Sequence, residues 1–265
     1  MSADARIAVL ADVHGNRWAL EAVLADLDHR GADAVVNLGD SLYGPLDPRG
    51  AARLLRKLDP PSVRGNQDRL LLEATGRAPA EGVPAGDGSP TFRHVTEALT
   101  DPDLDWLAAH SPDPLEVDGA LACHGTPERD DEYLLEVVGA AGVGLRSPPK
   151  LRDRLSRWES SVVLCGHSHV PRIVRAGQDR LVVNPGSVGL PAYTDEAPHP
   201  HAMEAGSPHA RYAILERRPE AGRTAEGWTV EQISVVYDWE RAAAAARENG
   251  RPDWAAWLRT GRAEA

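Results

Sequence analysis

RIAVLADVHGN, residues 6–16, decides how this chain folds. An unbroken apolar run, Ile7 to Ala11, ends directly on Asp12 and His14, and Gly15 then lets the backbone turn. A short run apolar on both faces is the mark of a buried parallel strand. Chemistry-bearing side chains just past its end sit where α/β sheets hold their ligands. In extended backbone Asp12 and His14 would face one side. Asn16 can cap a following helix to about His29, whose apolar side is Trp18, Leu20, Val23, Leu24 and Leu27.

The same arrangement recurs along the chain. DAVVNLGD (33–40) is a second strand ending on Asp40, and SVRGN (62–66) a short third one ending on Asn66. A helix with Leu54, Leu55 and Leu58 between them stops at Pro60 and Pro61. LACHG (121–125) delivers His124, and VVLCGHSH (162–169) delivers His167 and His169. Asp12, His14, Asp40, Asn66, His124, His167 and His169 are seven donors of mixed carboxylate, amide and imidazole type. That is too many for one metal with an open position, and it suits two metals sharing a carboxylate. The donor types favour manganese, iron, zinc or cobalt over calcium.

Thr75–Pro90, rich in Gly, Ala and Pro, reads as a loop, followed by helices over 91–99 and 102–109. PLEVDGALACHG (114–125) reads as a hairpin turning on Asp118-Gly119. A helix is expected near 148–158, and a second hairpin within 171–187 turning near Gly177-Gln178. Strands at about 211–217 and 228–236 lead into a helical tail at about 238–265. The Pro-rich segment from Asp195 to Ala210 carries His199, His201 and His209, and is expected to be a solvated loop or a lid. One domain over residues 1–265 is expected from length, and the pattern gives α/β with a mixed sheet.

The net charge of −11 argues against binding a nucleic-acid backbone, which needs a basic face. It does not argue against a small phosphorylated substrate, because bound cations would dominate the local field. No apolar run is long enough to span a membrane, and the N-terminus lacks the pattern of a signal peptide. Cys123 and Cys165 end apolar runs and read as small core residues, and a reducing, cytoplasmic compartment is the default expectation.

The ordered blocks D-x-H (12–14), G-D (39–40), G-N-x-D (65–68), a lone histidine after a strand (124) and G-H-x-H (166–169) resemble the signature of the calcineurin-like metallophosphoesterases. NPGSVGLP (184–191) resembles the segment that often follows G-H-x-H in the small bacterial phosphodiesterase and dinucleoside tetraphosphatase-like branch. The resemblance implies a four-layer α/β/β/α sandwich of two mixed sheets with helices outside. It implies two divalent or trivalent metal ions: the first held by Asp12, His14 and His169, the second by Asn66, His124 and His167, with Asp40 bridging. It carries catalytic roles onto Asp40, Asn66, Asp68 and His124, and hydrolysis of phosphodiesters or phosphoanhydrides by a metal-activated water. Symmetrical dinucleoside tetraphosphate hydrolysis and protein serine/threonine dephosphorylation are the enzymatic alternatives. A protein-binding scaffold, as in the retromer coat subunit, is the non-enzymatic one.

One block departs from the pattern. Where many members have histidine between Asn and Asp of the third block, this chain has Gln67, which can donate a hydrogen bond but cannot shuttle a proton. Members with such a replacement tend to be described as phosphodiesterases. Asp68 would then hold Gln67 or Arg64. Asn16, Arg64 and Gln67 are the candidate substrate contacts, although Asn16 is equally a helix cap and Arg64 equally a structural ion-pair partner. Tyr43 either lines the cleft or packs in the core.

Overall fold

A computed structural model describes residues 5–79, 88–177, 179–217 and 224–263. Residues 80–87 of the Thr75–Pro90 loop and Gln178 of the second hairpin turn therefore lie outside the described residues.

Two mixed sheets form the frame. In the first, β1 (Arg6–Leu10) pairs parallel with β2 (Ala34–Asn37) and antiparallel with β12 (Ala210–Arg217), which pairs antiparallel with β13 (Trp228–Val235). In the second, β4 (Ala120–Ala122), β7 (Val162–Leu164) and β9 (Leu181–Asn184) are parallel. They are flanked antiparallel by β3 (Leu115–Val117) and β8 (Arg172–Arg175).

Side-chain alternation along the strands builds three apolar layers. Ala8 and Leu10 of β1, with Tyr212 and Ile214 of β12, meet α1 (Arg17–Arg30), α2 (Pro48–Leu58) and α7 (Trp239–Glu248) through Leu20, Val23, Leu55 and Ala246. Ile7, Val9, Val36 and Leu215 point the other way, onto Ala120, Ala122, Val162, Leu164 and Val183 of the second sheet. Leu121, Val163 and Val182, one residue out of phase, cover Leu151 of α6 (Pro148–Arg154) and the adjoining Leu155. Helix, sheet, sheet and helix are thus stacked as four layers. Cys123 and Cys165 are both buried, unpaired and part of the third apolar layer, with burial pushing both thiols up.

Helix starts follow local chemistry. Asn16 caps α1 by accepting from the Ala19 amide, and Asp47 caps α2 from the Gly50 amide with Pro48 in the first turn. Ser89 caps α4 (Pro90–Ala98) in the same way, whereas at α5 (Asp101–Ala108) Asp103 reaches back to accept from the amide and hydroxyl of Thr100.

Several expectations are corrected. SVRGN is not a strand: Asn37–Ser62 and Val63–Ser111 are isolated bridges, because Pro60 and Pro61 supply no amide and the chain turns at once into α3 (Asn66–Ala74). The helix expected to 158 ends at Arg154. The segment from Asp195 to Ala210 is not simply a loop. β10 (Ala192–Asp195) and β11 (His201–Glu204) pair across it, and His201 is buried. A further hairpin, β5 (Glu136–Gly139) with β6 (Gly142–Leu145), had no counterpart in the sequence reading. The tail forms α7 and α8 (Pro252–Thr260), and α8 buries Trp254, Ala255 and Leu258 in the helical layer.

Candidate metal centre

The carboxyl ends of β1, β2, β4 and β7 converge, and the loops after them carry the donors. Asp12, His14 and His169 form one group, and Asp40, His124 and His167 another, each with ligand atoms within 4.8 Å of one another. The groups touch. His14 Nε2 lies 3.1 Å from His169 Nε2 and 3.8 Å from Asp40 Oδ2, while His124 Nε2 lies 3.5 Å from the same Asp40 oxygen. Asp40 Oδ2 therefore stands between imidazoles of both groups. His169 Nε2 is 3.5 Å from Asp12 Oδ1, and Asn66 Oδ1 is 3.1 Å from His124 Nε2.

Three imidazoles are oriented by main-chain carbonyls. His14 Nδ1 meets Tyr43 O at 2.8 Å, His124 Nδ1 meets Leu38 O at 2.7 Å, and His169 Nδ1 meets Leu190 O at 2.7 Å. A carbonyl only accepts, so each Nδ1 carries the proton in the neutral ring and each Nε2 lone pair points into the site. Two such lone pairs, on His14 and His169, then oppose each other at 3.1 Å. A cation shared by both nitrogens and the Asp12 carboxylate would remove that repulsion, so the residues fit a metal.

Buried charge points the same way. Asp12, Asp40 and Asp68 are each no more than 2% exposed. Burial pushes Asp12 up to about 8, partly opposed by His124 and reinforced by Asp40. Burial, with the Asp40 charge behind it, pushes Asp68 up to about 7. Burial also acts to raise Asp40, but His124, His14 and His167 together hold it well below the usual carboxylate range. His124 answers by rising to about 10, Asp40 overriding burial. Burial lowers His14 and His169. Clustered buried carboxylates need compensating positive charge, which cations held by the donors already aimed there would supply.

The backbone here is unusual. Asp12, His14, Asp40, His167 and His169 all have positive φ, between 49° and 66°. The extended geometry expected for Asp12–His14 does not occur: each donor sits in a left-handed turn. Close packing reinforces these turns. A Cβ on Gly65 would fall 2.1 Å from Asp40 Oδ1, so only glycine lets α3 start against that carboxylate.

The remaining sequence candidates are placed as follows. Asn16 is fully buried; its amide donates to Gly189 O and Tyr237 OH while its oxygen caps α1. Those partners support the cap and leave no donor for phosphate. Arg64 pairs with no acid among the described residues but donates to the carbonyls of Ala108 and His110. Asp68 holds neither Gln67 nor Arg64: it accepts from the amides of Ser41 and Gly65, closing the first turn of α3. Gln67 lines the cavity over the site, and its backbone N–H donates to Asp40 Oδ1 at 2.9 Å. Tyr43 both lines that cavity and supplies the carbonyl under His14. His199 and His209 belong to neither metal group, and His201 Nε2 accepts from Tyr133 OH at 3.0 Å.

Residues that sequence reasoning missed surround the donors. Tyr133 stacks on the His167 ring at 4.8 Å, and Tyr193 packs edge-on to His169 at 4.6 Å while its hydroxyl reaches His167 O. The NPGSVGLP segment is a brace. Asn184 donates to Gly166 O, Ser187 Oγ donates to Asp12 O, and Leu190 O receives His169. Its place shortly after the G-H-x-H block was the available signal.

Comparison with known proteins bears on the family and the fold. The sequence model described as "Calcineurin-like phosphoesterase superfamily domain" matches residues 5–203. A crystal structure of a metallophosphoesterase from Sphaerobacter thermophilus is similar at TM-score 0.70 and 26% identity, covering 98% of this chain and 100% of that one. A hypothetical protein from Pyrococcus horikoshii is similar at TM-score 0.68 and 20% identity, over 98% and 99% of the two chains. An uncharacterised protein of Methanocaldococcus jannaschii is 24% identical over 94% of each chain.

Proposed function

The chain belongs to the calcineurin-like phosphoesterase superfamily, and on that premise we propose that it is a metal-dependent hydrolase of phosphodiester or phosphoanhydride bonds in small substrates. One observation carries the proposal: a single carboxylate oxygen, Asp40 Oδ2, lies within 3.8 Å of His14 Nε2 and 3.5 Å of His124 Nε2, between two groups of inward-facing donors. Asp12, His14 and His169 would hold one ion, Asn66, His124 and His167 the other, and Asp40 both. When bound, such ions supply polarisation of a phosphoryl oxygen and a lowered pKa for a shared water.

The chain's own residues set the rest. The carbonyls of Tyr43, Leu38 and Leu190 fix the tautomers, so the donors are oriented before substrate arrives. Gln67, on the cavity wall, can hydrogen-bond a substrate oxygen but cannot protonate a leaving group. Substrates whose leaving group needs little protonation, activated diesters and anhydrides, are therefore favoured over alkyl monoesters. A protein-binding scaffold would need none of these converging donors.

Turnover of bis-p-nitrophenyl phosphate by the manganese-loaded protein tests the reading. Hydrolysis that disappears in Asp40→Ala supports it. Folded, metal-loaded wild type that turns over neither this diester nor a panel of nucleoside polyphosphates sinks it.

A further inference from the structure

The cavity over the metal donors, about 360 Å³, has two unlike sides. His14, Asp40, Asn66 and His167 make the polar side. α8, which lies beyond the residues matched by the family model, contributes Arg251, Trp254 and Trp257 to the other. Trp254 is buried and meets His14 edge-on at 5.8 Å. Trp257, half-buried, has its ring centroid 6.4 Å from that of Trp254. Arg251 is not available as a phosphate clamp: it binds Asp253 and Thr91 and lies 5.4 Å from the Trp254 ring centroid. The α8 side thus offers ring surface, not free charge, next to the donors.

This side is held in place. Gly261 caps α8 by donating to Trp257 O at 2.7 Å, and its own carbonyl receives the Gly206 amide at 2.8 Å. The Ala263 amide donates to Glu204 Oε1 at 2.7 Å. These contacts pin the end of α8 to the β10–β11 hairpin, whose Tyr193, Thr194 and Asp195 line the same cavity. A rigid aromatic side chain in a cavity gives contact area at little cost in side-chain entropy, and every nucleobase has a face to stack on it.

We infer that Trp257, backed by Trp254, is a subsite for the planar, uncharged arm of the substrate, so that this site takes phosphoesters of nucleosides in preference to those of small alkyl groups. The inference rests on the phosphoesterase reading above and adds the substrate class to it. A base stacked on an aromatic side chain is favoured by roughly 5- to 150-fold.

The test compares thymidine 5′-p-nitrophenyl phosphate with methyl p-nitrophenyl phosphate, which share a leaving group and differ in the second arm. The ratio of their kcat/KM values is measured for manganese-loaded wild type, Trp257→Ala, Trp257→Leu and Trp257→Phe, with calorimetric binding of each ester measured in parallel. The ratio should favour the thymidine ester in wild type, fall by roughly 5- to 150-fold in the Ala and Leu variants, and be largely kept by Phe. Leu retains bulk at the position, so a folding defect in the Ala variant does not decide the outcome. A wild-type ratio near one, or a ratio unmoved in all variants, overturns the inference. If neither ester is hydrolysed, the hydrolase reading fails alone, and the binding preference and its loss in the Leu variant still decide the subsite.

Discussion

Gly65→Ala is the sharpest probe of the candidate centre, because it adds one methyl group and removes no donor. Built on the present backbone, that methyl lies 2.1 Å from Asp40 Oδ1 and 2.5 Å from the Asp40 amide nitrogen. Relief to an ordinary contact of 3.4 Å requires a shift of about 1.3 Å in either the Asp40 loop or the first turn of α3. Neither can move freely. Asp40 Oδ1 accepts from Gln67 N at 2.9 Å, and Asp68 ties Gly65 N and Ser41 N together from below. Overpacking of a rigid site costs about 1–3 kcal/mol. For a chain of this size that lowers Tm by roughly 2–12 °C. The same shift separates Asp40 from Asn66, one donor assigned to both metal groups and one to the second, so manganese content and diester turnover should fall together. Calorimetry with and without chelator, alongside metal analysis, measures both effects. Gly139→Ala is the control, since a methyl there meets nothing within 4 Å. A Gly65→Ala protein that melts within a degree of wild type and holds as much metal would show that the loops do not pack as described and that Asp40 is not the shared donor.

Four further outcomes are expected. Asp40→Ala should lower metal content in both groups, whereas His169→Ala should leave the Asp40–His124–His167 group able to bind, giving about half the metal by elemental analysis. A chelator should lower Tm, since a ligand bound only to the folded state at 100 times its Kd adds about 2.7 kcal/mol; an unchanged Tm with metal removed contradicts the assignment. Gln67→His should raise turnover of alkyl monoesters more than that of diesters, because general-acid help is typically about 10²–10⁴-fold and matters most for a poor leaving group. His110, 6% exposed and without a hydrogen-bond partner for either ring nitrogen among the described residues, is pushed by burial down to about 4, with Arg64 adding to it. Its neutral form stabilises the fold fully above the ordinary value of 6.5, and this is lost as pH falls toward 4. Urea unfolding at pH 7 and pH 5 should therefore show a change between the two pH values that is about 2 kcal/mol more unfavourable in wild type than in His110→Phe, the other shifted groups being common to both.

The frame was legible where burial was symmetrical. β1, β2, β4 and β7 have apolar residues on both faces because each lies between two layers, and such runs announce themselves. SVRGN was misread because its apolar content is a single valine, and the two prolines before it, taken as a helix stop, also strip that segment of amides. The β5–β6 hairpin escaped because it has no apolar face to detect: Val137, Val143 and Leu145 are exposed, and Gly139, Gly142 and Gly144 interrupt it. The donors were legible by their chemistry, since few roles other than metal binding bring seven such side chains to strand ends. What orients them was not. The acceptors under His14, His124 and His169 are main-chain carbonyls of Tyr43, Leu38 and Leu190, and any side chain at those positions would offer the same oxygen.

The left-handed turns explain why donor type and backbone agree at this site. Of the non-glycine residues described with positive φ, Asp12, His14, Asp40, His167 and His169 all belong to the two groups, and the others, Asp59 and Asp118, end a helix and turn a hairpin. The left-handed conformation costs about 1–2 kcal/mol for an ordinary side chain. Aspartate and histidine are among the few types enriched there. Glycine would relieve the backbone at any of the five, but it would delete a donor. Stability alone would therefore favour glycine, so the persistence of five side chains in one pocket points to a use for them. The surroundings bear the cost. Ser187 Oγ and Gly189 N both donate to Asp12 O, and His14 N donates to Asp40 O, so the Asp12 turn is tied to the 184–191 segment and the His14 turn to the Asp40 turn. A substitution in this brace, such as Ser187→Ala, acts on the turn that aims Asp12 without touching any donor. Metal affinity should accordingly register damage to the brace even where the fold survives it.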